Sequence, residues 1–207
     1  MSTEQRILVW DIAVRLFHWS LVSLFVLAYV SGEEWDSVHA YAGYGIIGLL
    51  VFRMLWGLVG SPHARFGDFL RGPQAVKEYL LGVRSGKPKH YLGHNPAGGW
   101  MIVALLVSLS AACWTGLEAY AVAGQGPLAG GGPAIIATAS ADDHHNDEHG
   151  HHGEEDEVWE EVHEVFVNLT LLLIFLHLAG VVISSRLHGE NLVQTMIDGY
   201  KQAPPHN

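Results

Sequence analysis

Four apolar stretches dominate this chain, at about residues 12–30, 41–59, 98–122 and 165–184. Each runs for about 19 to 25 residues, which as α-helix is about 30 Å or more, enough to cross the hydrocarbon core of a bilayer. A soluble helix of that length needs a polar face at every turn, and LLVSLFVLAYV or LTLLLIFLHLAGVVI has almost none. With 49% apolar and only 15% charged residues among 207, and a mean hydropathy of +0.20, the chain is too apolar for a soluble domain of its size. The expected fold is all-α: an integral membrane four-helix bundle, one domain over residues 1–207, in contact with lipid.

Basic residues set the expected orientation, because cytoplasmic loops retain Lys and Arg. All 11 fall on one side of the spans. Arg6 and Arg15 flank the start of the first, Arg53 lies late in the second, six fill the loop before the third, and Arg186 and Lys201 follow the fourth. Both termini are therefore expected in the cytoplasm, with loops 31–40 and 123–162 outside. The net charge of −10 then divides into +5 inside and −15 outside, since six of the 21 acids lie inside. The start, MSTEQRILVWD, lacks the features of a cleavable signal, so the first span is expected to serve as the insertion signal. No nucleic-acid partner is expected.

The single cysteine, Cys113, sits within an apolar run and can form neither an internal disulfide, an iron–sulfur site nor a CxxCH haem attachment. Any redox cofactor needs other ligands, and histidine is abundant. His163 and His177 are 14 residues apart, about 21 Å of rise and just under four turns, so one helix offers two rings from nearly the same face at two levels. His163 and His39 each lie two residues before the outer end of an apolar run. His18 and His177 lie about 9 and 10 Å in from the cytoplasmic ends of theirs. Two pairs at matched depths follow, His39 with His163 and His18 with His177, which is what two haems stacked across a membrane require. Such residues can also be isolated polar groups hydrogen-bonded inside a bundle, although histidine within a membrane by default suggests function.

Gly43, Gly45 and Gly48 after His39, and Gly180 after His177, offer backbone surfaces for a flat macrocycle, or simply let helices approach. Arg53 lies at the depth of the inner pair, where a haem propionate would neutralise it through charge-assisted hydrogen bonds. Snorkelling to the headgroups is the competing reading. The segment at about 124–161 runs from QGPLAGGGPA into ADDHHNDEHGHHGEEDEVWEE, a polar, low-complexity composition expected to be a disordered acidic periplasmic loop. His144, His145, His149, His151 and His152 among its carboxylates could chelate a divalent metal such as Zn, Cu or Ni, and its charge could steer a basic partner.

Four stretches, VWDIAVRLFHW, HAYAGYGIIGLLVFRMLWGLVGSPHARF, GHNPAGGWM and HLAGVVISSRLHGENLVQTMIDGYK, occur in order over about residues 9 to 201. In them the chain resembles the bacterial diheme cytochrome b-561 family, related to the b-type cytochrome subunits of nickel-iron hydrogenase and formate dehydrogenase. The resemblance implies a multi-pass protein of the bacterial inner membrane with two haem b groups, electron exchange with the quinone pool and a periplasmic redox partner, such as a c-type cytochrome or a hydrogenase or dehydrogenase. It assigns iron ligation to His18, His39, His163 and His177. By the same resemblance a quinone headgroup could bind at GHNPAGGWM through His94, Asn95 and His177, where Pro at the first helical position leaves backbone N–H groups exposed; the alternative is a plain helix start. The expected function is electron transfer between the quinone pool and the periplasmic partner. Two rivals are a superoxide:quinone oxidoreductase acting without a protein partner, and a divalent-metal transporter, which needs polar groups lining a mid-membrane path.

Overall fold

The computed structural model describes residues 6–32, 34–86, 89–129 and 152–202. Among them a short strand β1 (Arg6–Leu8) leads into α1 (Ile12–Ser31) and α2 (Asp36–Val59). Two shorter helices follow, α3 (Phe66–Phe69) and α4 (Pro73–Arg84), then the long α5 (Pro96–Val122) and α6 (His152–His188), then α7 (Leu192–Asp198) and a strand β2 (Tyr200–Gln202). Four helices are long and apolar enough to cross a membrane: Ile12–Ser31, Asp36–Val59, Pro96–Val122 and Val158–His188. Their Leu, Val and Phe side chains stand largely exposed, Val26, Leu55, Leu172 and Phe175 among them, a surface that water would penalise and lipid accepts. The protein is all-α in its spans and multi-pass in the membrane.

Helix boundaries depart from expectation at two ends. α2 begins five residues early, at Asp36, whose carboxylate in the first turn suits the positive end of the helix dipole. α6 begins at His152, inside the segment expected to be a disordered loop, and its apolar span starts at Val158. His39 and His163 thus lie within helices and not ahead of them. Hydropathy detects where lipid starts, whereas a helix satisfies its own backbone and continues through charged residues such as Glu160 and Glu161. The remainder of that expected loop, with His144, His145, His149 and His151, lies outside the described residues, as do the side chains of 152–157.

The chain divides into two compact units, Met1–Leu106 with Leu172–Asn207, and Val107–Leu171. In the first, α1 packs along α2, and a small core gathers where the spans meet the connecting segments: Val9, Trp10, Val14 and Ala64, with Ile7, Trp56 and Met196 against them. Asp11 caps α1 by accepting from the Val14 N–H at 2.8 Å, and also accepts from Trp56 Nε1 at 3.2 Å and from the Ser61 hydroxyl, tying the start of α1 to the end of α2. Burial pushes the Asp11 carboxyl up, but the bonds from Ser61, Val14 and Trp56 outweigh it and hold it below the usual carboxylate range. β1 and β2 pair antiparallel, Ile7 opposite Lys201, which brings the two ends of the described chain together. Gly199 makes this possible: its φ is 87°, its carbonyl accepts from Val9 and Trp10 N–H at 2.9 and 3.1 Å, and a Cβ there would come within 2.6 Å of the Trp10 carbonyl oxygen.

In the second unit a polar contact joins the two long helices. The hydroxyls of Ser108 on α5 and Thr170 on α6 lie 2.8 Å apart and are both buried. Such hydrogen bonds hold membrane helices where apolar packing alone does not discriminate between partners.

Candidate functional site

In the first unit the sequence-predicted residues gather near the end of the spans that carries the small core. His18 on α1 and His177 on α6 lie close enough for the charge on one ring to act on the other. Arg53 on α2 is only 4% exposed, with its guanidinium carbon 4.9 Å over the Phe66 ring and 6.0 Å from that of Phe69. Its Nη1 is sealed from solvent with no hydrogen-bond partner among the described residues. Asp11 acts on Arg53 through space, but its oxygens already receive Val14, Trp56 and Ser61. A buried cation with an open donor is an anion site in waiting, and Arg53 does not snorkel out.

His94 stands beside this group. Its ring is held between Trp10 and Phe69, with centroid distances of 4.4 and 4.8 Å. Burial, then the positive charges of Arg53 and Lys201, with His177 and His63 adding, push its imidazolium down to about 3, so at neutral pH the ring is uncharged. Its Nδ1 is sealed with no hydrogen-bond partner among the described residues. Asn95 caps α5, its Oδ1 accepting from the Gly98 N–H at 2.8 Å, so a ligand contact from this side chain falls to the amide nitrogen. A cavity of about 570 Å³ opens here, lined by His63, Arg65, Asp68, Arg71, His90 and His94 among others.

His39 and His163 fall in different compact units and are each held by backbone. His39 Nδ1 lies 2.9 Å from the Ala28 carbonyl of α1, and His163 Nδ1 lies 2.9 Å from the Ala112 carbonyl of α5. A carbonyl oxygen only accepts, so Nδ1 carries the proton and Nε2 the lone pair that a metal needs. Gly116 completes the seat of His163, since a Cβ there would lie 2.9 Å from the ring's Cε1. Of the four glycines singled out from sequence, Gly45 lies against Leu24 of α1, where a Cβ would come within 2.8 Å of Leu24 Cδ1, so it serves helix approach; a Cβ at Gly43, Gly48 or Gly180 would meet nothing within 4 Å.

The model of one protein family, described as prokaryotic cytochrome b561, matches residues 9–199. The chain belongs to the prokaryotic cytochrome b561 family. Among curated proteins it is 30% identical over 122 residues, 45% of this chain and 50% of the relative, to a probable Ni/Fe-hydrogenase B-type cytochrome subunit of Rhizobium leguminosarum bv. viciae. It is 31% identical over 115 residues, 42% of this chain and 47% of the relative, to a protein of the same description from Bradyrhizobium diazoefficiens. The chain thus spans about half the length of the curated relatives it matches. No solved structure matches it.

A b-type cytochrome implies haem b, and the residues fit that group. Two imidazoles, His39 and His163, are fixed in the ligating tautomer by their Nδ1 contacts, and Arg53 holds a buried donor free for a propionate. Sequence reasoning missed the polar network under the cavity. His90 Nε2 lies 2.9 Å from Glu190 Oε1, and the buried Lys201 ammonium lies 3.3 Å from Glu190 Oε2. Burial raises the Glu190 carboxyl, but His90 and Lys201 outweigh it and hold it below its ordinary value. His90 and Glu190 are a hundred residues apart in the chain, and no short-range signal links them. Among the described residues no cluster of three or more His, Cys, Asp or Glu has metal-holding geometry.

Proposed function

We propose that the chain is a single membrane domain that carries electrons between the quinone pool and a periplasmic redox partner by way of two haem b groups. Haem b gripped by two imidazoles supplies one-electron oxidation and reduction with no open iron position for oxygen. His18 with His177 and His39 with His163 are the ligand pairs in this reading. Arg53 holds a propionate of the inner group. His94, Asn95 and the start of α5 receive a quinone headgroup: the uncharged His94 ring and the Asn95 amide offer hydrogen bonds, and Trp10 and Phe69 flank the imidazole with aromatic surface. The termini face the cytoplasm, as the one-sided distribution of Lys and Arg supports, in a bacterial inner membrane. The relatives described as hydrogenase B-type cytochrome subunits make a nickel-iron hydrogenase a natural class of partner.

The observation that carries this reading is Arg53 near His94: a buried guanidinium, 4% exposed, with one donor that has no partner among the described residues, in a family whose name implies haem. Reduced-minus-oxidised spectra with haem extraction and quantitation on the purified chain test it. Two b-type haems per polypeptide are expected, with spectral change on adding a quinol. A colourless protein overturns it.

A further inference from the structure

Oxidising a quinol to a quinone breaks two O–H bonds and releases two protons and two electrons, and quinone reduction takes up the same number. In the reading proposed above, the electrons travel toward the periplasmic partner. The protons need a group near the headgroup that titrates close to neutrality and reaches water. His94 is a poor candidate, because burial and neighbouring cations keep its ring uncharged down to about pH 3.

His63 is placed for this task by two independent restraints. It has φ 71°, the left-handed region, the only non-glycine residue to do so among the described residues. A histidine in that region is strained and held there by its surroundings. Its ring lies against Gly93, the residue before His94: a Cβ on that glycine would stand 3.1 Å from His63 Nδ1, close enough that the ring would have to give by a few tenths of an ångström. His63 and His94 interact electrostatically and both line the cavity of about 570 Å³. The ring is only partly buried. The other charged and titratable groups of that cavity are Arg65, Asp68, Arg71, His90 and Tyr91. Arg65 is paired with Asp68 at 3.0 Å and His90 Nε2 lies 2.9 Å from Glu190 Oε1, so each of these already has a partner. An imidazole has one nitrogen that donates a proton and one that accepts, so it can pass a proton on.

From this geometry we infer that His63 is the proton-transfer residue of the quinone site, exchanging a proton between the headgroup beside His94 and water in the adjoining cavity. The inference rests on the quinone reading of the preceding subsection. In quinol oxidation the two protons leave the two quinol oxygens in turn, each taken by the His63 imidazole and passed to water in the cavity before the next, while the two electrons leave toward the periplasmic partner; reduction runs the same transfers in reverse.

The test uses the purified full-length, haem-loaded protein with tetramethylbenzoquinol as probe. His63→Asn and His63→Gly both tolerate the left-handed backbone and remove the titrating ring. Each is expected to keep its haem content and its affinity for the oxidised quinone, to lower kcat for quinol oxidation by about 100-fold with KM unchanged, and to recover rate when free imidazole is added to fill the cavity. Redox-induced infrared difference spectra should lose the imidazole protonation band in both variants, a change that a purely structural role would not produce. Wild-type kcat, pH profile and infrared difference in both variants would overturn the inference while leaving the quinone reading intact. A slow variant that imidazole does not rescue also overturns it. Failure of the unsubstituted protein to bind the quinone overturns the quinone reading and this inference with it.

Discussion

His39 and His163 each direct their Nδ1 proton to a helix carbonyl, of Ala28 and of Ala112, whereas His18 Nδ1 is sealed with no hydrogen-bond partner among the described residues. The first arrangement needs nothing but the polypeptide: a helical carbonyl has a second lone pair, and a neighbouring imidazole takes it. The ring is then aimed by backbone, which no single side-chain substitution removes. Around His18, His177 acts on it electrostatically and the Trp19 ring stands edge-on with its centroid 5.3 Å away. A polar atom buried without a partner costs about 1 to 3 kcal/mol. The His39 and His163 rings are thus oriented by backbone alone, whereas in the proposed reading the His18 ring is completed by the group that it would bind.

The largest expected effect sharpens that contrast. His177→Ala should lose one of the two haems and spare the other, halving haem per polypeptide by extraction; two full equivalents would break the pairing of His177 with His18. In haem-depleted protein, nitrogen NMR should report a single protonated-Nδ1 tautomer for His39 and His163 and a tautomer mixture for His18.

Acidification comes next. Because the folded-state value for His94 lies at about 3, below the ordinary 6.5, the unfolded chain binds the extra proton between those limits. Stability is therefore full above about pH 6.5 and falls as pH drops through this window, by roughly 2 kcal/mol at pH 5. His94→Phe preserves the stacking between Trp10 and Phe69 and should flatten this dependence, read as the difference in melting temperature between pH 7 and pH 5.

Removing the charge at Arg53 with Arg53→Leu should lower the potential of the inner haem, on the order of 60 mV or about 1.4 kcal/mol, since a nearby cation favours the reduced form. The potential of the other haem should hold, and equal shifts in both would break the comparison. Smaller still is Gly116→Ala, whose Cβ would meet the His163 ring at 2.9 Å and force it aside: the spectrum of the haem it ligates should shift without loss of haem. Deleting residues 140–151, ahead of α6, should leave both haems at full occupancy, because no proposed ligand lies there.

Much of the spans was legible in the sequence because lipid imposes a one-dimensional rule: about twenty apolar residues in a row. α1 and α5 fall within two residues of where hydropathy put them. α6 was misjudged at its start because its first turns are charged, and the rule for lipid says nothing about a helix standing in water. The β1–β2 ribbon and the Glu190 network were invisible for another reason. The ribbon joins opposite ends of the chain through three-residue strands with too little pattern to read, and the network joins Glu190 to His90, a hundred residues away. The motif GHNPAGGWM was correctly taken as a helix start, yet its Asn95 oxygen proves to be the cap of that helix.

By itself the amino-acid order determined that this protein lives in a membrane, how many times it can cross, and which side chains are too polar for their depth to be there by chance. Burial in lipid acts on each segment separately, so segment composition suffices. Only the tertiary structure decided what each polar group meets: that Arg53 lies under two phenylalanines with a donor unmatched, that backbone carbonyls set the tautomers of His39 and His163, and that a strained His63 turns toward Gly93. Those contacts join residues far apart in the chain, and a hydrogen bond depends on atoms being within about 3 Å, a distance that sequence spacing does not encode.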